Sequence, residues 1–406
     1  MAKITPCMEN GKAAVARKLE NSLGFGSTEF HVFRSNGAAL PEYIFQYIRQ
    51  ESYRRDAESE MTGSVGQKRV PVRFLEQTVL PLPPLPEQKR IVRAVGDLSS
   101  RLTLTRDRLA RAPKILKAFR QSVLAAACSG RLTEDWRTSH PDIETGGDCL
   151  RRVCGETALA TIPSEEETIG LPDIPKTWAW SSCEPLCDPK RDMTYGVIKL
   201  GVPVESGVPT LRSSDVRWLH VDPRNVKRIA PKIADQYSRT FLRGGELLIT
   251  VRGTLGGIAV VPKEMAGFNI SREVAMVPLR SEFDVHFFCY AVASIWSQNW
   301  LSDVTKGVAY TGINIRDLKR LPVGVPPIVE QHEIVRRVEA LFKLADKIEA
   351  RLAVATNRAD KLTQAILGKA FRGELVPTEA ELAQQEGRDY EPASVLLARI
   401  KTERKM

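Results

Sequence analysis

Pro172-Asp173 and Asp188-Pro189-Lys190 match the loose nuclease pattern of one Asp followed by a D/E-x-K. Such a set would hold a divalent metal and ready a water for phosphodiester cleavage. The pattern is short, and its middle residue, Pro189, disfavours the regular strand that should carry Lys190. A phosphate-binding loop needs G-x4-G-K-[ST]. Gly11-Lys12 is followed by Ala13 and Gly368-Lys369 by Ala370, so neither fits. Gly24-Phe25-Gly26-Ser27 is too short for a cofactor loop, and no N/D-P-P-Y/F motif is present to hold a flipped base. The histidines (31, 140, 220, 286 and 332) are dispersed. Cys183-x3-Cys187 and Cys149-x4-Cys154 lack a second pair at zinc spacing, so the seven cysteines read as reduced thiols of a cytosolic protein. No catalytic constellation survives, and no cofactor is expected on this chain.

The element that must position everything else occurs twice. Pro83-Pro84-Leu85-Pro86-Glu87-Gln88-Lys89-Arg90-Ile91-Val92-Arg93 runs on to Gly130-Arg131-Leu132, and Pro326-Pro327-Ile328-Val329-Glu330-Gln331-His332-Glu333-Ile334-Val335-Arg336 runs on to Gly373-Glu374-Leu375. The offset is 243 residues throughout, from Glu87 to Glu330, Gln121 to Gln364 and Gly130 to Gly373. Apolar residues at 91, 95, 98, 102, 109, 112 and 116, and at 334, 338, 341, 345, 348 and 352, step by fours and threes, with Thr105 taking the slot between Leu102 and Leu109. Sustained over several heptads, that period predicts two long helices with a coiled-coil seam. Prolines precede each helix and glycine ends it. Pro113, opposite Thr356 in the second copy, should kink the first.

The repeat extends upstream. Ala2-Lys3-Ile4-Thr5 reads as a strand leading through a turn to Ala13–Ala16, and Leu247–Thr250 leads similarly to Ile258–Val260, with Thr250 placed opposite Thr5. Ser27-Thr28-Glu29 before Phe30–Phe33 matches Ser271-Arg272-Glu273 before a strand from Val274 to Leu279. Helices are expected over Pro41–Tyr53 and Val285–Trp300, each followed by a Gly-containing loop. The second copy also has a front half, from about Pro175 to Gly245, for which the first shows no counterpart; roughly 70 residues would be needed, so the first copy reads as N-terminally truncated. Thr133 to Leu171 is acidic and Gly/Pro-punctuated, a linker with one short helix at Cys149–Cys154. A closing helix is expected over Ala393–Arg404.

A net charge of +10 and a pI near 9.3 favour a polyanionic partner, nucleic acid above all. No secretory signal or membrane-spanning run is visible, so the chain reads as cytoplasmic. Side chains able to reach phosphates and base edges gather on loops of the second copy: Arg212, Ser213, Arg252, Thr254, Arg272, Lys306, Tyr310, Thr311 and Asn314. Asn10, Lys12, Thr28, Lys68 and Arg69 are their counterparts in the first. Loops in register with differing side chains are what a common scaffold with two reading surfaces would show.

With its repeated P-P-x-x-E-Q-x-x-I-V helix, two divergent domains and no catalytic motif, the sequence resembles the specificity subunits of type I restriction-modification systems over essentially its whole length. The resemblance implies an α+β chain with two target recognition domains of mixed α/β structure, separated by two long helices that form an antiparallel coiled coil. The expected domains are 1–82, a truncated first recognition domain; 83–132, the first spacer helix; 133–173, a linker; 174–325, the second recognition domain; 326–375, the second spacer helix; and 376–406, a tail. Each recognition domain would read half of a bipartite duplex DNA site. The helices, through Glu87, Gln88, Ile91, Glu330, Gln331 and Ile334, would act as spacer and docking element for DNA adenine methyltransferase subunits and ATP-dependent restriction subunits. S-adenosylmethionine, ATP and magnesium would then belong to those partners. A helix over Glu87–Ala127 would be roughly 60 Å long at ~1.5 Å per residue, more than one turn of duplex at ~34 Å. Other readings are a truncated, inactive copy, a single-chain restriction enzyme using Asp173, Asp188 and Lys190, and a coiled-coil scaffold with no DNA function.

Overall fold

Both repeated stretches fold as long helices, Leu85–Cys128 and Ile328–Phe371, in a computed structural model that describes residues 1–64, 66–156, 170–305 and 312–403. Gly130 and Gly373 take matching left-handed conformations just past the helix ends, with φ of 73° and 74°. The first helix continues through Pro113, which has no N–H to donate to the preceding turn. The chain divides into two compact units, Met1–Pro113 with Ala350–Met406, and Lys114–Glu349.

In the first unit the two helices run antiparallel: Arg90 donates to Glu379 and the Pro377 carbonyl beyond the end of the second helix, whereas Arg106 reaches the Ala359 and Asp360 carbonyls. Ile91, Val95, Leu367 and Ala370 are buried with Tyr43 at one end of this pair. The heptad pattern predicts a closed seam, but between Leu98 and Ile366 the helices leave an open apolar groove of about 880 Å³. Leu102, Leu109 and Leu362 line it together with the small residues Thr105, Ala350, Ala355 and Ala359, which leave space unfilled between the helices.

Before the helix, the expected strands at Ala2–Thr5 and Phe30–Phe33 shrink to single bridges, Ala2 to Phe30 and Ile4 to Arg69, while 13–16 forms no strand. The expected helix over Pro41–Tyr53 is two, Pro41–Ile48 and Glu51–Ser59, because Gln50 is extended. Beyond the second long helix lie Glu379–Glu386, a helix not anticipated from the sequence, and Ala393–Glu403. The first of these opens with a Thr378–Glu381 capping box.

The second unit holds eleven strands among the described residues: β1 (Ala179–Ser182), β2 (Thr194–Tyr195), β3 (Val208–Leu211), β4 (Val216–Arg217), β5 (His220–Val221), β6 (Lys227–Ile229), β7 (Leu247–Thr250), β8 (Ile258–Val260), β9 (Asn269–Ile270), β10 (Val274–Val277) and β11 (Pro322–Val325). The main sheet has order β2-β10-β7-β8 and is antiparallel; a second, β6-β3-β9, pairs β3 and β9 in parallel. β7 and β10 are buried at every residue, which explains their continuous apolar runs. The helix expected over Val285–Trp300 is again two, Val285–Ala293 and Ile295–Thr305, broken at the extended Ser294. Residues 133–154, read from composition as linker, are instead built into this unit. Thr133, Cys149 and Leu150 are fully buried, and Gly146–Cys154 is a helix with a Thr145–Asp148 capping box. Among the described residues no helix is long and apolar enough to cross a membrane.

Candidate nucleic-acid interface

Each long helix is fastened to its own unit by the same two residues, at the start of the Glu-Gln motif. The Gln88 amide donates to the Ala38 and Pro83 carbonyls, both at 2.9 Å, and its oxygen accepts the Leu40 N–H at 2.8 Å. Gln331 donates to the Pro326 carbonyl at 3.0 Å and accepts the Asp284 N–H at 3.0 Å. Leu40 and Asp284 are equivalent, since each immediately precedes the first helix of its unit's helical pair. Each glutamine therefore ties a helix N-terminus to the base of a spacer helix.

The glutamates differ. Glu330 is fully buried and accepts from Thr133 Oγ1 at 2.7 Å, Trp178 Nε1 at 2.9 Å and the Arg137 guanidinium. Glu87 accepts the Glu379 N–H at 2.7 Å, and Glu379, itself buried, is held by Arg90 at 2.7 Å and Arg388 at 2.8 Å. Burial pushes the Glu379 carboxyl up, but the two guanidinium groups outweigh it and the net shift is downward. All six residues expected to form a docking element (Glu87, Gln88, Ile91, Glu330, Gln331 and Ile334) are buried, and the hydrogen bonds of the four polar ones go to their own unit.

In the second unit, the ends of β3, β7 and β9 and the start of β10 gather their loops at one rim. Val251 donates to the Glu273 carbonyl at 2.8 Å, Ile313 to the Val251 carbonyl at 3.0 Å, and Ser271 to the Leu211 carbonyl at 2.8 Å. The predicted residues Arg212, Ser213, Arg252, Thr254, Arg272 and Asn314 all fall on this rim, with unequal freedom. Arg212 is held by buried Asp215 at 3.1 Å and by the Asn225 carbonyl at 2.9 Å. Ser213 is buried and donates to Glu273 at 2.8 Å. The Asn314 oxygen caps the helix Ile315–Arg320 by accepting the Asp317 N–H at 2.9 Å. The Arg252 guanidinium lies over the Tyr195 ring, 5.5 Å from its centroid. Tyr195 in turn donates to the Ile313 carbonyl at 3.1 Å, and burial raises its phenol pKa. Thr254 and Arg272 are exposed, and Arg272 has no side-chain partner among the described residues. Lys306, Tyr310 and Thr311 lie outside the described residues.

The first unit repeats this frame. Lys3 donates to the Glu29 carbonyl at 2.9 Å, Val70 to the Lys3 carbonyl at 2.9 Å, and Ala2 to the Lys12 carbonyl at 2.9 Å. The last bond matches Thr250 N–H to the Gly257 carbonyl at 2.8 Å, so Thr250 is equivalent to Ala2, not to Thr5 as the sequence alignment had placed it. Nine residues separate the bonded pair in the first unit and six in the second, and an ungapped comparison cannot register that difference. Asn10, Lys12, Thr28 and Lys68 are exposed around this loop. Arg69 is committed to Glu29, at 2.8 and 2.9 Å, and to the Gln67 carbonyl at 2.9 Å; its hydrogen bond holds the Glu29 carboxyl below its ordinary range.

The nuclease pattern fares poorly. The Asp188 carboxylate accepts the Lys190 N–H at 2.9 Å and so caps its own turn. Asp173 lines a different, open surface pocket beside Arg131, Arg137 and Lys176. No group of three or more His, Cys, Asp or Glu able to hold a metal occurs among the described residues. Sequence reasoning missed Asp215, Tyr195 and the carboxylates of Glu29 and Glu273. Only Asp215 carried a local signal, three residues after the arginine that it holds.

Residues 9–113 and 207–355 match the type I restriction modification DNA specificity domain family. The chain is 36% identical over 348 residues to the type I restriction enzyme EcoBI specificity subunit of Escherichia coli, an alignment covering 84% of this chain and 68% of that one. It is 30% identical to the EcoKI specificity subunit of Escherichia coli strain K12, covering 92% of this chain and 74% of that one. Its fold resembles the crystal structure of the HsdS subunit from Thermoanaerobacter tengcongensis, with a TM-score of 0.54 at 24% identity, over 86% of this chain and 74% of that one.

Proposed function

Since the chain belongs to the type I restriction-modification specificity family, we propose that it reads a bipartite duplex DNA target and positions methyltransferase and restriction subunits on it. In this reading each unit presents one reading rim, and the long helices separate the two half-sites. The observation that carries it is the repeated frame. Both units hold a helix N-terminus against the base of a spacer helix through an equivalent buried glutamine, and both close a loop-bearing rim with the same backbone hydrogen bonds, yet place different side chains on that rim. Exposed Lys12 and Lys68 in the first unit, with Arg272 in the second, supply phosphate or base contacts. Arg69 and Arg212, already paired with carboxylates, serve chiefly to hold their loops.

The buried Glu-Gln residues hold each spacer helix to its own unit, so partner docking falls to the exposed positions of the helices. Chemistry on DNA belongs to partner subunits, with S-adenosylmethionine, ATP and magnesium bound there. Co-expression with a DNA adenine methyltransferase partner, followed by mapping of modified adenines, tests the reading. A bipartite motif with a fixed gap is the expected result. Modification that is random, or absent although the complex assembles, would overturn it. Deleting one heptad from each helix should shorten the preferred gap.

A further inference from the structure

Beside Arg272, a segment that the reading-rim prediction passed over is built with little slack. Val197 donates to the Ile270 carbonyl at 2.8 Å and its own carbonyl accepts the Arg272 N–H at 2.9 Å, a parallel pairing of Val197 with Ser271. The approach is close enough that a Cβ on Gly196 would fall 1.7 Å from the Ile270 carbonyl oxygen. Val197 is fully buried, packed with Ile229 and Ala234; Leu200 packs on the same cluster, and the Gly201 carbonyl accepts Lys227 Nζ at 2.8 Å. The residues one step beyond the pair, Ile198 and Arg272, therefore lie next to each other on this rim.

Ile198 is 56% exposed. It is a branched aliphatic side chain on an anchored segment, flanked by exposed Lys199 and by Arg272, which has no side-chain partner among the described residues; Leu255, 44% exposed beside Thr254, is a second apolar side chain on a rim otherwise suited to phosphates and base edges. The only large apolar group that a base pair presents in the major groove is the thymine 5-methyl. Resting on the DNA-reading function above, we propose that Ile198 is a specificity-determining residue that packs on the methyl of one thymine in the half-site read by the second unit, with Arg272 as its polar neighbour.

The test uses the full chain assembled with its methyltransferase partner and a duplex carrying the mapped motif, with each thymine replaced in turn by deoxyuridine. For the wild type, methylation should fall about tenfold at one position when the methyl is removed, the scale of a single apolar contact. Ile198→Ala should lose the same factor on the unsubstituted duplex and nothing more on the uridine duplex, while Ile198→Val keeps the wild-type pattern. The inference is overturned alone if Ile198→Ala discriminates thymine from uridine as the wild type does, or if the wild type ignores every thymine methyl. A wild-type complex with no site preference at all overturns the DNA-reading function and this inference together. On duplex lacking the motif, salt-dependent binding that is equal for wild type and Ile198→Ala shows that the variant is folded.

Discussion

The two units build one frame and spend their charged side chains differently. In the first, the glutamate beside the rim, Glu29, takes up Arg69; in the second, the equivalent Glu273 takes up the Ser213 hydroxyl, and Arg272 beside it stays uncommitted. The anchors differ as well. Glu330 satisfies three side-chain donors in a buried site, whereas Glu87 accepts one backbone N–H from a tail helix. Position in a repeat thus predicts backbone role, but which charges face DNA depends on partners that the repeat does not conserve.

The sharpest way to break this comparison is at the anchors. All six tryptophans lie in the second unit, so tryptophan fluorescence follows that unit alone, and hydrogen exchange of peptides from residues 1–113 and 350–406 follows the other. Glu330→Ala strands the half-buried Arg137 guanidinium and buried Trp178 Nε1 and should cost about 3 kcal/mol in urea denaturation followed by tryptophan. Glu87→Ala, losing one charged hydrogen bond, should cost about 2 kcal/mol. Equal costs would show that the two anchors do the same work.

The helix-ending glycines give a second contrast. A Cβ on Gly130 would lie 2.3 Å from the Pro175 ring, while one on Gly373 meets nothing within 4 Å. Gly373→Ala should cost about 1 kcal/mol, for the left-handed backbone alone. Gly130→Ala should cost about 3 kcal/mol, because overpacking against a rigid ring adds to that strain. Thermal unfolding of the two variants measures the difference.

At the rims the expected effects are on binding. Arg272→Ala should weaken binding to all sequences and reduce the slope of log K against log salt by about 0.9. Arg69→Ala should leave that slope unchanged and loosen the loop around Glu29, seen as faster proteolysis near residue 69.

The smallest effect is on acid stability. Glu379 has a depressed folded pKa, so its contribution is present above the ordinary carboxylate range, about 4.3, and is lost as pH falls through the lowered value. Glu333, held to about 2 by its hydrogen bonds to Arg336 and Arg337, behaves alike in the second unit. Glu379→Gln should flatten the rise in urea midpoint between pH 3 and pH 5 for the first unit only.

Much of the architecture was legible because it is periodic. The apolar steps from Ile91 to Leu116 and from Ile334 to Leu352 marked both long helices, and Gly130 and Gly373 marked where each stops. The open groove between the helices was less visible, since alanine satisfies a hydrophobic period without filling space. Residues 133–154 misled by composition, although Thr145 and Asp148 spelled out a capping box around a helix that buries Cys149 and Leu150. The rim was legible as a set of loops but not as a set of free charges. Arg69 and Glu29 are forty residues apart, and no local pattern links them.

The unequal loops, nine residues in one frame and six in the other, carry a consequence for how such a protein changes. Both lengths close the same backbone bonds, so the frame leaves loop length free, and lengthening a surface loop costs little. A lineage could then alter its target by inserting or deleting a few codons at a rim, with no compensating change in the anchors beneath.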